Sequence, residues 1–353
     1  MEPSPEGSLF FSFKLSIGQM SFTTVPMFTN EAIASFQPDA AYSLQFAYYA
    51  FPIYIVANAS ENIYGAKMLN QELIKSAPIC LPSLKEQTAI ASFLDRETAK
   101  IDVLVAGQER LIALLKEKRQ AVISHAVTKG LNPNVPMKDS GIEWLGEIPA
   151  HWEVVKVVRF FRAFKGKEGQ LLTKEYCAEN AGEFPVYSGQ TENDGIMGTL
   201  DRYEFDAGDA GYLFATTVGA KAMTVSHIFG KFSLSQNCMI IRPVDGSTEP
   251  RFYYYHFQPV FSYHRSLIPD HMQPSFRMED LYGFPMALPP KGEQVEIASY
   301  LDDKLVGYRA LENEAQAAIN LLQERRAALI SAAVTGKIDV RGAVAADPAL
   351  EVA

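Results

Sequence analysis

The residues with the clearest potential for chemistry are five cations near the middle of the chain. They are Lys156, Arg159, Arg162, Lys165 and Lys167. Between positions 151 and 167 the sequence contains a single acidic residue, Glu153. Lysine and arginine at this density neutralise phosphate groups, which is how proteins bind the backbone of nucleic acids. An ordinary solvated face is the alternative, and the strip alone does not separate the two.

Polar side chains at predicted turns and strand ends form a second candidate group. Amide side chains match the edge of adenine and arginine matches guanine, whereas a hydroxyl group can contact either base. The candidates for reading bases are Gln190, Thr191, Asn193, Thr216, Thr217, Lys221, Gln236 and Asn237. For Gln236 and Asn237 a bond to the local backbone is the favoured alternative. Gln190 likewise belongs first to a turn, 187–190.

No arrangement of residues predicts a catalytic centre. Gly336-Lys337 lacks the first glycine of a phosphate-binding loop, because Ser331 stands in that position. A Gly-x-Gly-x-x-Gly motif is absent from the sequence, and the six histidines show no metal-ligand spacing. We therefore predict no catalytic residues, no metal ligands and no cofactor in this chain.

Composition narrows the class of protein. A length of 353 residues accommodates two globular units and extended helices. The net charge of −9 argues against a generic polyanion binder. Three cysteines without metal-ligand spacing indicate a reduced, cytoplasmic protein. The uncharged stretch 40–60 predicts a buried helix rather than a membrane span, because polar residues and Pro52 interrupt it.

The elements that must position these side chains include one long helix that occurs twice. Residues 81–128 match 288–335 without a gap, and every pair is 207 positions apart, as in Leu94 and Leu301. Heptads predict spacer helices at 84–130 and 291–337. The apolar seam is Leu94, Ile101, Leu115 and Val122, then Leu301, Tyr308, Ala315, Leu322 and Leu329, with Leu104, Leu111, Leu311 and Ala318 beside it. Because such a stripe needs a partner, we predict an antiparallel intramolecular pair. Two separate amphipathic helices are the alternative.

The remaining segments predict a mixed α/β fold in two globular domains. Residues 131–150 read as a linker that docks by Trp144 and Trp152. Residues 151–290 form the second domain, with strands at 211–215, 222–225 and 238–241. Residues 1–83 match only the end of that domain, so we expect a truncated first domain, and 338–353 a disordered tail.

Together, the repeated phrases resemble the DNA specificity subunit of type I restriction–modification systems. The phrase Leu-Pro-x-x-x-Glu-Gln-x-x-Ile-Ala-x-(Phe/Tyr)-Leu-Asp occurs at 81–95 and again at 288–302. A second phrase, at 115–124 and 322–331, ends both helices. The segment 148–153 is similar to the phrase that opens recognition domains in this family. The resemblance covers about residues 25–340.

The resemblance implies two target recognition domains, each reading one half of a split site in double-stranded DNA, joined by an antiparallel spacer. It also implies that the spacer helices dock two modification (methyltransferase) subunits and, through them, restriction subunits. Those partners use S-adenosylmethionine, ATP and Mg, whereas this chain is expected to be non-catalytic. The expected spacer and docking residues are Glu86, Gln87, Leu94, Ile101, Leu115, Arg119, Glu293, Gln294, Leu301, Leu322 and Arg326.

The shortened first domain leaves an alternative of another class. A truncated, assembly-only or decoy subunit would dock methyltransferase subunits without recognising a complete bipartite site. A coiled-coil scaffold unrelated to DNA fits less well, because the repeated phrases are too specific. The net charge is compatible with DNA binding if the partner subunits supply part of the phosphate contacts.

Overall fold

The computed structural model describes residues 2–37, 41–190, 193–219, 221–269 and 271–341. The chain divides into two compact units, Met1–Ile112 with Asn313–Ala353, and Ala113–Glu312. Each unit therefore combines a globular part with one end of each long helix. Most of the predicted disordered tail lies outside the described residues, because only its first four residues, 338–341, are described.

The first unit is built on a small antiparallel sheet and one buried helix. Its elements are β1 (Leu9–Ser12), β2 (Met20–Phe22), β3 (Ile33–Phe36), α1 (Leu44–Ala57), β4 (Ser60–Glu61), β5 (Lys67–Met68), α2 (Gln71–Lys75) and the first part of α3 (Leu84–Lys129). The sheet has the order β2-β1-β3. The hydroxyl group of Ser43 accepts the amide hydrogen of Phe46 and caps α1.

Helix α1 confirms the buried helix predicted for the uncharged stretch. Its apolar side chains, among them Phe46 and Ile55, pack with Leu9 and Phe11 of β1 and with Leu94 of α3. Along the described residues, no helix combines the length and the apolar character needed to cross a membrane. The uncharged stretch thus supplies the core of the first unit.

The second unit holds most of the strands. Its elements are β6 (Met137–Asp139), β7 (Glu147–Pro149), β8 (Glu153–Lys156), β9 (Phe161–Phe164), α4 (Lys174–Glu179), β10 (Phe184–Tyr187), β11 (Ile196–Leu200), β12 (Phe205–Asp206), β13 (Tyr212–Thr216), β14 (Val225–Ile228), β15 (Lys231–Leu234), β16 (Cys238–Pro243), α5 (Pro250–Ser266), α6 (Met278–Gly283), β17 (Pro285–Leu288) and the first part of α7 (Lys291–Val334). Two four-stranded sheets run in the orders β14-β13-β16-β9 and β11-β10-β15-β12. Strands β8 and β17 pair antiparallel and bring the start and the end of the segment 153–288 together.

The sheet β14-β13-β16-β9 is covered on both faces. Leu213 and Ile241 belong to the core that contains α5. Phe214 and Ile240 point the other way, into a cluster with Phe232 of β15. Alternate residues of a strand face opposite sides of a sheet, so burial on both sides explains the nearly continuous apolar runs of β13 and β16.

One predicted strand is placed too early. The sequence predicted a strand at 222–225, whereas β14 begins at Val225 and residues 221–223 form a turn. Met223 has a φ of +63°, a left-handed conformation that cannot continue an extended strand. The apolar character of Ala222 and Met223 reflects burial of the turn in the core, not strand structure.

The two long helices pack against each other in antiparallel fashion, as predicted. In the first unit, Ile90 and Leu94 share a core with Ala333 and Val334, and further along α3 Asp102 pairs with Arg326 at 3.0 Å. In the second unit, the last turns of α3 share a core with the first turns of α7. The start of α3 contacts the end of α7, and the end of α3 contacts the start of α7, so the two helices run in opposite directions.

The predicted seam of these helices is right in part. Leu94, Ile101 and Leu115 are buried. Leu104, Leu111 and Leu311, however, are 53%, 42% and 49% exposed, so the prediction that they complete the seam was wrong. A strict heptad series drifts by about 20° per repeat around an ideal α-helix. Thr98 and Ile319, which lie outside the predicted seam, are buried, as is the predicted seam residue Ala315.

The repeated phrase anchors the start of each long helix by the same hydrogen bonds. The side chain of Gln87 accepts from the Ser43 amide at 2.8 Å and donates to the Pro82 carbonyl at 2.9 Å. In the second unit Gln294 accepts from the Glu249 amide at 2.8 Å and donates to the Pro289 carbonyl at 2.8 Å. Both glutamines are buried.

A tyrosine–aspartate pair repeats in the same way. Tyr49 donates to Asp95 at 2.6 Å, and Tyr255 donates to Asp302 at 2.7 Å. Burial and the neighbouring carboxylate raise the pKa of Tyr49 to about 12, so the hydroxyl stays protonated and donates. The pair fastens α1 to α3 in the first unit and α5 to α7 in the second.

The linker contributes to the core of the second unit through its tryptophans. Trp152 is fully buried, and its indole N–H donates to Glu293 at 2.9 Å. The Nε2 atom of His151 contacts the other carboxylate oxygen of Glu293 at 2.6 Å. Trp144 is half-buried beside His256, and its indole nitrogen is buried without a hydrogen-bond partner in the described part of the chain.

We predict that Trp152→Phe destabilises the second unit more than Trp144→Phe does. The first change leaves the Glu293 carboxylate without a buried donor and should lower the free energy of unfolding by about 2 to 4 kcal/mol. The second removes a donor that has no partner and should cost less than about 1 kcal/mol. The two tryptophans of the chain both lie in this unit, so tryptophan fluorescence during urea unfolding measures each variant. Equal losses would contradict the assignment of the Trp152–Glu293 bond.

Candidate nucleic-acid interface

The five cations lie on β9, the edge strand of the sheet β14-β13-β16-β9, and on the residues just before and after it. Lys156 ends β8, Arg159 ends a 3₁₀ turn, and Arg162 lies in β9. Lys165 and Lys167 follow that strand, and all five side chains are exposed. Because β8 and β9 are joined only by the short turn Val157–Arg159, the charges remain close along the chain.

A sixth cation, Arg242, joins this edge from a distant part of the sequence. Antiparallel pairing of β9 and β16 places Arg162 directly opposite Arg242. Both are exposed, and residues opposite each other in an antiparallel pair project from the same face. Two like charges in this arrangement repel each other unless an anion lies between them.

The two arginines are held by groups that do not neutralise them. The Arg162 guanidinium donates to the carbonyl groups of Val158 and, at 2.9 Å, Phe161. The Arg242 guanidinium stacks 4.3 Å from the ring centroid of Phe164. We use the name "cationic edge" for Lys156, Arg159, Arg162, Lys165, Lys167 and Arg242.

Within the described residues, no member of the cationic edge forms a salt bridge. Other cations of the same unit do: Arg202 pairs with Glu168 at 2.9 Å, and Lys291 pairs with Glu249 at 3.3 Å. The side chain of Glu204, close by, accepts from the backbone amide of Lys167 rather than from its ammonium group. The edge therefore offers unneutralised positive charge to a ligand.

Some of the predicted base-reading residues meet in one open cleft. It has a volume of about 520 Å³ and lies between the β10–β11 connection and the β13–β14 hairpin. Gln190, Thr216 and Lys221 line it, together with the hydroxyl groups of Thr224 and Ser226. The arrangement places an amide, an ammonium group and hydroxyls around a space open to solvent.

The connection between β10 and β11 is a tight turn with left-handed backbone. Asn193, Asp194 and Gly195 have φ values of +50°, +52° and +82°. Asparagine and aspartate tolerate this conformation better than other residues with a Cβ, and glycine tolerates it best. The Asn193 amide donates to the Ile196 carbonyl at 3.3 Å, as does the Gln190 amide at 2.5 Å. Thr191 lies outside the described residues.

Thr216 and Thr217 are buried, which limits what they can contact. The Thr216 hydroxyl donates to the Lys221 carbonyl at 2.5 Å and also lies against the Thr224 hydroxyl. The Thr217 hydroxyl is buried in the core without a partner in the described part of the chain. Asn237 is exposed, and its carbonyl accepts from the Thr217 amide at 2.8 Å. These threonines therefore position the loop between β13 and β14 rather than face a ligand.

Lys221 is exposed on a loop that is fixed from below. Arg265 of α5 donates to the Ala222 carbonyl at 2.8 Å, and the Met223 amide donates to the Thr216 carbonyl at 3.0 Å. Ala222 and Met223 are buried. A rigid base under an exposed ammonium group suits it to a defined contact.

Two residues of the cleft had no sequence signal. His227 contacts the Ala210 carbonyl at 2.9 Å, and burial lowers its pKa, so the ring is neutral near pH 7. Phe229 packs beside it with ring centroids 4.4 Å apart, yet remains 51% exposed at the rim. An exposed ring next to polar groups can stack on a base.

Among the described residues, no group of three or more metal-ligating side chains occurs.

The predicted docking residues of the spacer fall into two groups. Gln87, Leu94, Ile101, Leu115, Gln294 and Leu301 are buried and support the fold directly. Glu293 accepts a hydrogen bond from Trp152, and Arg326 pairs with Asp102. The Nε atom of Arg119 is buried without a partner in the described part of the chain. Glu86 and Leu322 are half-exposed. Unlike Glu293 and Arg326, the partly exposed Glu86 and Leu322 have no partner on another element in the described part of the chain.

Known proteins resemble this chain in sequence. A family model described as the type I restriction modification DNA specificity domain matches residues 2–111 and 149–321. A putative type I specificity subunit of Mycoplasma pneumoniae (strain ATCC 29342 / M129 / Subtype 1) is 42% identical over 73 residues, 21% of this chain and 23% of that protein. A second one from the same organism is 27% identical over 165 residues, 47% of this chain and 57% of that protein. The EcoBI specificity subunit of Escherichia coli is 30% identical over 132 residues, 35% of this chain and 28% of that protein.

The fold has a counterpart among solved structures. A chain from a structure concerned with complex assembly and conformational transition of the type I R-M system has a TM-score of 0.71 at 13% identity, covering 95% of this chain and 83% of that chain. The alignments with these three curated relatives cover 23%, 57% and 28% of their lengths. Since the family model matches well over half of the residues, the chain belongs to the family of type I restriction–modification DNA specificity domains.

Proposed function

We propose that this chain is the DNA-recognising, non-catalytic subunit of a type I restriction–modification complex. It reads double-stranded DNA and directs adenine methylation and restriction to a bipartite site. The cationic edge is the observation that carries this proposal, because six exposed cations without a carboxylate partner in the described chain suit a row of phosphates. Family membership supplies the context in which that edge has a use.

Phosphate contact and base reading fall to different parts of the second unit in this proposal. The cationic edge fixes the position on the backbone and carries no sequence information by itself. Gln190, Asn193 and Lys221 contact base edges from the cleft and its turn. His227 and Phe229 complete the wall of the cleft, with Phe229 placed to stack on a base.

The partners follow from the same reasoning. Modification (methyltransferase) subunits dock on the long helices, and restriction subunits join through them. The partner subunits bind S-adenosylmethionine, ATP and Mg, and this chain contributes specificity without a reaction of its own. With a net charge of −9, the chain gains by sharing phosphate contacts with partners.

The long helices set the distance between the two half-sites in this proposal. Support comes from two unbroken helices of 46 and 44 residues, each about 65 Å long at about 1.5 Å per residue. Helices of such length keep their geometry only if their apolar stripe is packed, and the antiparallel pairing provides that packing.

Removal of one arginine of the cationic edge should weaken DNA binding uniformly across sequences. We expect Arg162→Ala and Arg242→Ala each to lower the affinity of the complex with its modification subunit by about three- to tenfold and the slope of log K against log salt by about 0.9. The measurement is a salt titration by fluorescence anisotropy. Arg202→Ala is the matched control, because Glu168 and Tyr176 already hold that guanidinium at 2.9 Å. A salt slope unchanged by either edge variant would refute the phosphate contacts.

Shortening the spacer should change the spacing of the recognised site. Deletion of four residues, about one turn or 6 Å, from either helix should alter the gap or abolish modification. Removal of one heptad from the middle of both helices keeps the seam in register and shortens the pair by about 10 Å, close to three base pairs. The motif is read by methylation sequencing. An unchanged gap in the double-heptad deletion would argue against a measuring role.

Loss of this gene should remove one bipartite adenine-methylation motif from the host genome. Sequencing that detects methylated adenine, with and without the gene, is the direct test of the proposed function. Restoration by the unaltered gene and altered specificity with Gln190→Ala or Lys221→Ala would tie the motif to the cleft. An unchanged set of methylated motifs would favour the assembly-only alternative.

A further inference from the structure

The turn that joins β15 to β16 carries two exposed amide side chains, Gln236 and Asn237. The sequence favoured a hydrogen bond from each of them to the local backbone. Neither bond is present, and within the described part of the chain these two side chains form no hydrogen bond with any group. Exposed amides are common on protein surfaces, so the surroundings of the turn decide whether they bind a ligand.

The backbone of this turn is fixed at both ends. The Ser235 amide donates to the Tyr187 carbonyl at 2.9 Å, and the Asn237 carbonyl accepts from the Thr217 amide at 2.8 Å. Ser235 and Cys238, on either side of the two amides, are buried. A turn held in this way presents its side chains from a fixed position, so a contact made by them costs little backbone entropy.

The end of the cationic edge lies directly against the turn. A Cβ atom at Gly169 would stand 2.9 Å from the Gln236 amide nitrogen, and one at Gly166 would stand 2.6 Å from the Leu234 carbonyl oxygen. Any side chain at these glycines would collide with the backbone of the turn or of the strand before it. The loop 165–169, which carries the last two lysines of the edge, is therefore packed against this backbone.

The ammonium group of Lys165 is also near the turn. Burial raises the pKa of the Cys238 thiol to about 11, and the positive charge of Lys165 acts against that rise. Cys238 directly follows the two amides in the sequence. Positive charge suited to a phosphate group thus lies beside both amides.

On its other side the turn borders the cleft. Tyr187, whose carbonyl holds Ser235, lines the cleft, and Thr217 follows Thr216, which also lines it. The two amides therefore lie between the cations suited to phosphates and the side chains proposed to contact base edges. In protein–DNA interfaces, phosphate contacts fix the register on the duplex, and side chains that reach the grooves read the bases.

We propose that Gln236 and Asn237 read adenine in the site that this chain recognises. An amide presents an acceptor and a donor side by side, and adenine offers the complementary N6 donor and N7 acceptor in the major groove. Lysine and arginine have no acceptor for the N6 group, so the cations beside the turn cannot make this contact. The reading of adenine rests on the proposed recognition of DNA and names one kind of base in the target.

Modified duplexes test this contact. The probe is a duplex with the recognised site, identified by methylation sequencing, in which each adenine in turn is replaced by 7-deazaadenine. That base still pairs with thymine but lacks the N7 acceptor. The full chain in complex with its modification subunit is titrated by fluorescence anisotropy. Replacement of a contacted adenine should lower the affinity about three- to tenfold, as for the loss of one hydrogen bond.

Alanine variants identify the side chain responsible. Gln236→Ala and Asn237→Ala should each weaken binding to the unmodified site by at least about fivefold and leave binding to unrelated duplexes unchanged. Each variant should also respond less than about twofold to 7-deazaadenine at the position that the missing amide contacts, because one contact cannot be lost twice. The salt slope should stay unchanged, since a neutral amide displaces no counterion. Neither residue has a left-handed backbone, so alanine fits at both positions.

Asn180→Ala is the matched control. Asn180 is an exposed amide of the same unit, and its side chain already donates to the Tyr176 carbonyl at 2.9 Å. Its removal should leave the affinity within about twofold and keep the response to the modified base. Thermal unfolding confirms that each variant is folded.

Two outcomes would overturn the reading of adenine and leave the proposed function intact. In the first, the unaltered complex binds its site specifically, yet neither variant loses its response to 7-deazaadenine at any adenine. In the second, the variants weaken binding to specific and unrelated duplexes equally, which would assign the amides to the DNA backbone. Failure of the proposed function itself looks different, because the unaltered complex would then bind all duplexes equally, and the reading of adenine would fail with it.

Discussion

The structure depends on how each long helix is fixed at its first turn. A helix of more than forty residues with a narrow apolar stripe gains little from its own hydrogen bonds and needs tertiary contacts to hold its direction. Gln87 and Gln294 provide such contacts from fully enclosed positions, where each amide satisfies backbone groups of two segments. A buried amide that loses one partner leaves a polar group unsatisfied at a cost of about 1 to 3 kcal/mol. This cost selects one orientation of the helix over its competitors.

The same constraint explains why the two copies of the repeat carry the same residue at some positions and different residues at others. Glutamine and aspartate recur at the helix starts because they bond backbone groups and the tyrosine hydroxyls of α1 and α5. The tyrosines themselves, Tyr49 and Tyr255, are 206 rather than 207 positions apart. The one-residue difference therefore falls between the tyrosine and the start of the long helix, α3 or α7, and it disturbs neither contact. The residue three positions before each glutamate also differs. Ser83 donates to Glu86 within the first turn of its own helix, whereas Pro290 has no donor, and Glu293 binds Trp152 of another segment.

Long, periodic elements could be predicted from the sequence, and contacts between distant strands could not. The repeat fixed the bounds of α3 and α7 to within a few residues, because a period sustained over forty residues averages out local exceptions. Arg242 carried no signal, since its place opposite Arg162 depends on the pairing of two strands whose facing residues are 80 positions apart in the sequence. Thr216 and Thr217 looked like surface residues because a hydroxyl side chain is equally common in a turn and in a buried loop. Their burial follows from the sheet partners on both sides, which local sequence does not specify.

An acidic chain with an unneutralised cationic edge is physically consistent, because a ligand responds to the local field and not to the total charge. At physiological salt the Debye length is about 8 Å, so acids elsewhere on the surface scarcely weaken the potential near Arg162 and Arg242. Arg162 and Arg242 lie opposite each other on neighbouring strands, so an anion that lies near both is attracted by two positive charges. Some other cations are neutralised by a neighbouring acid, as Arg202 is by Glu168, and these attract an anion less strongly. The position of the charges therefore selects where a polyanion binds, while the negative total disfavours binding anywhere else.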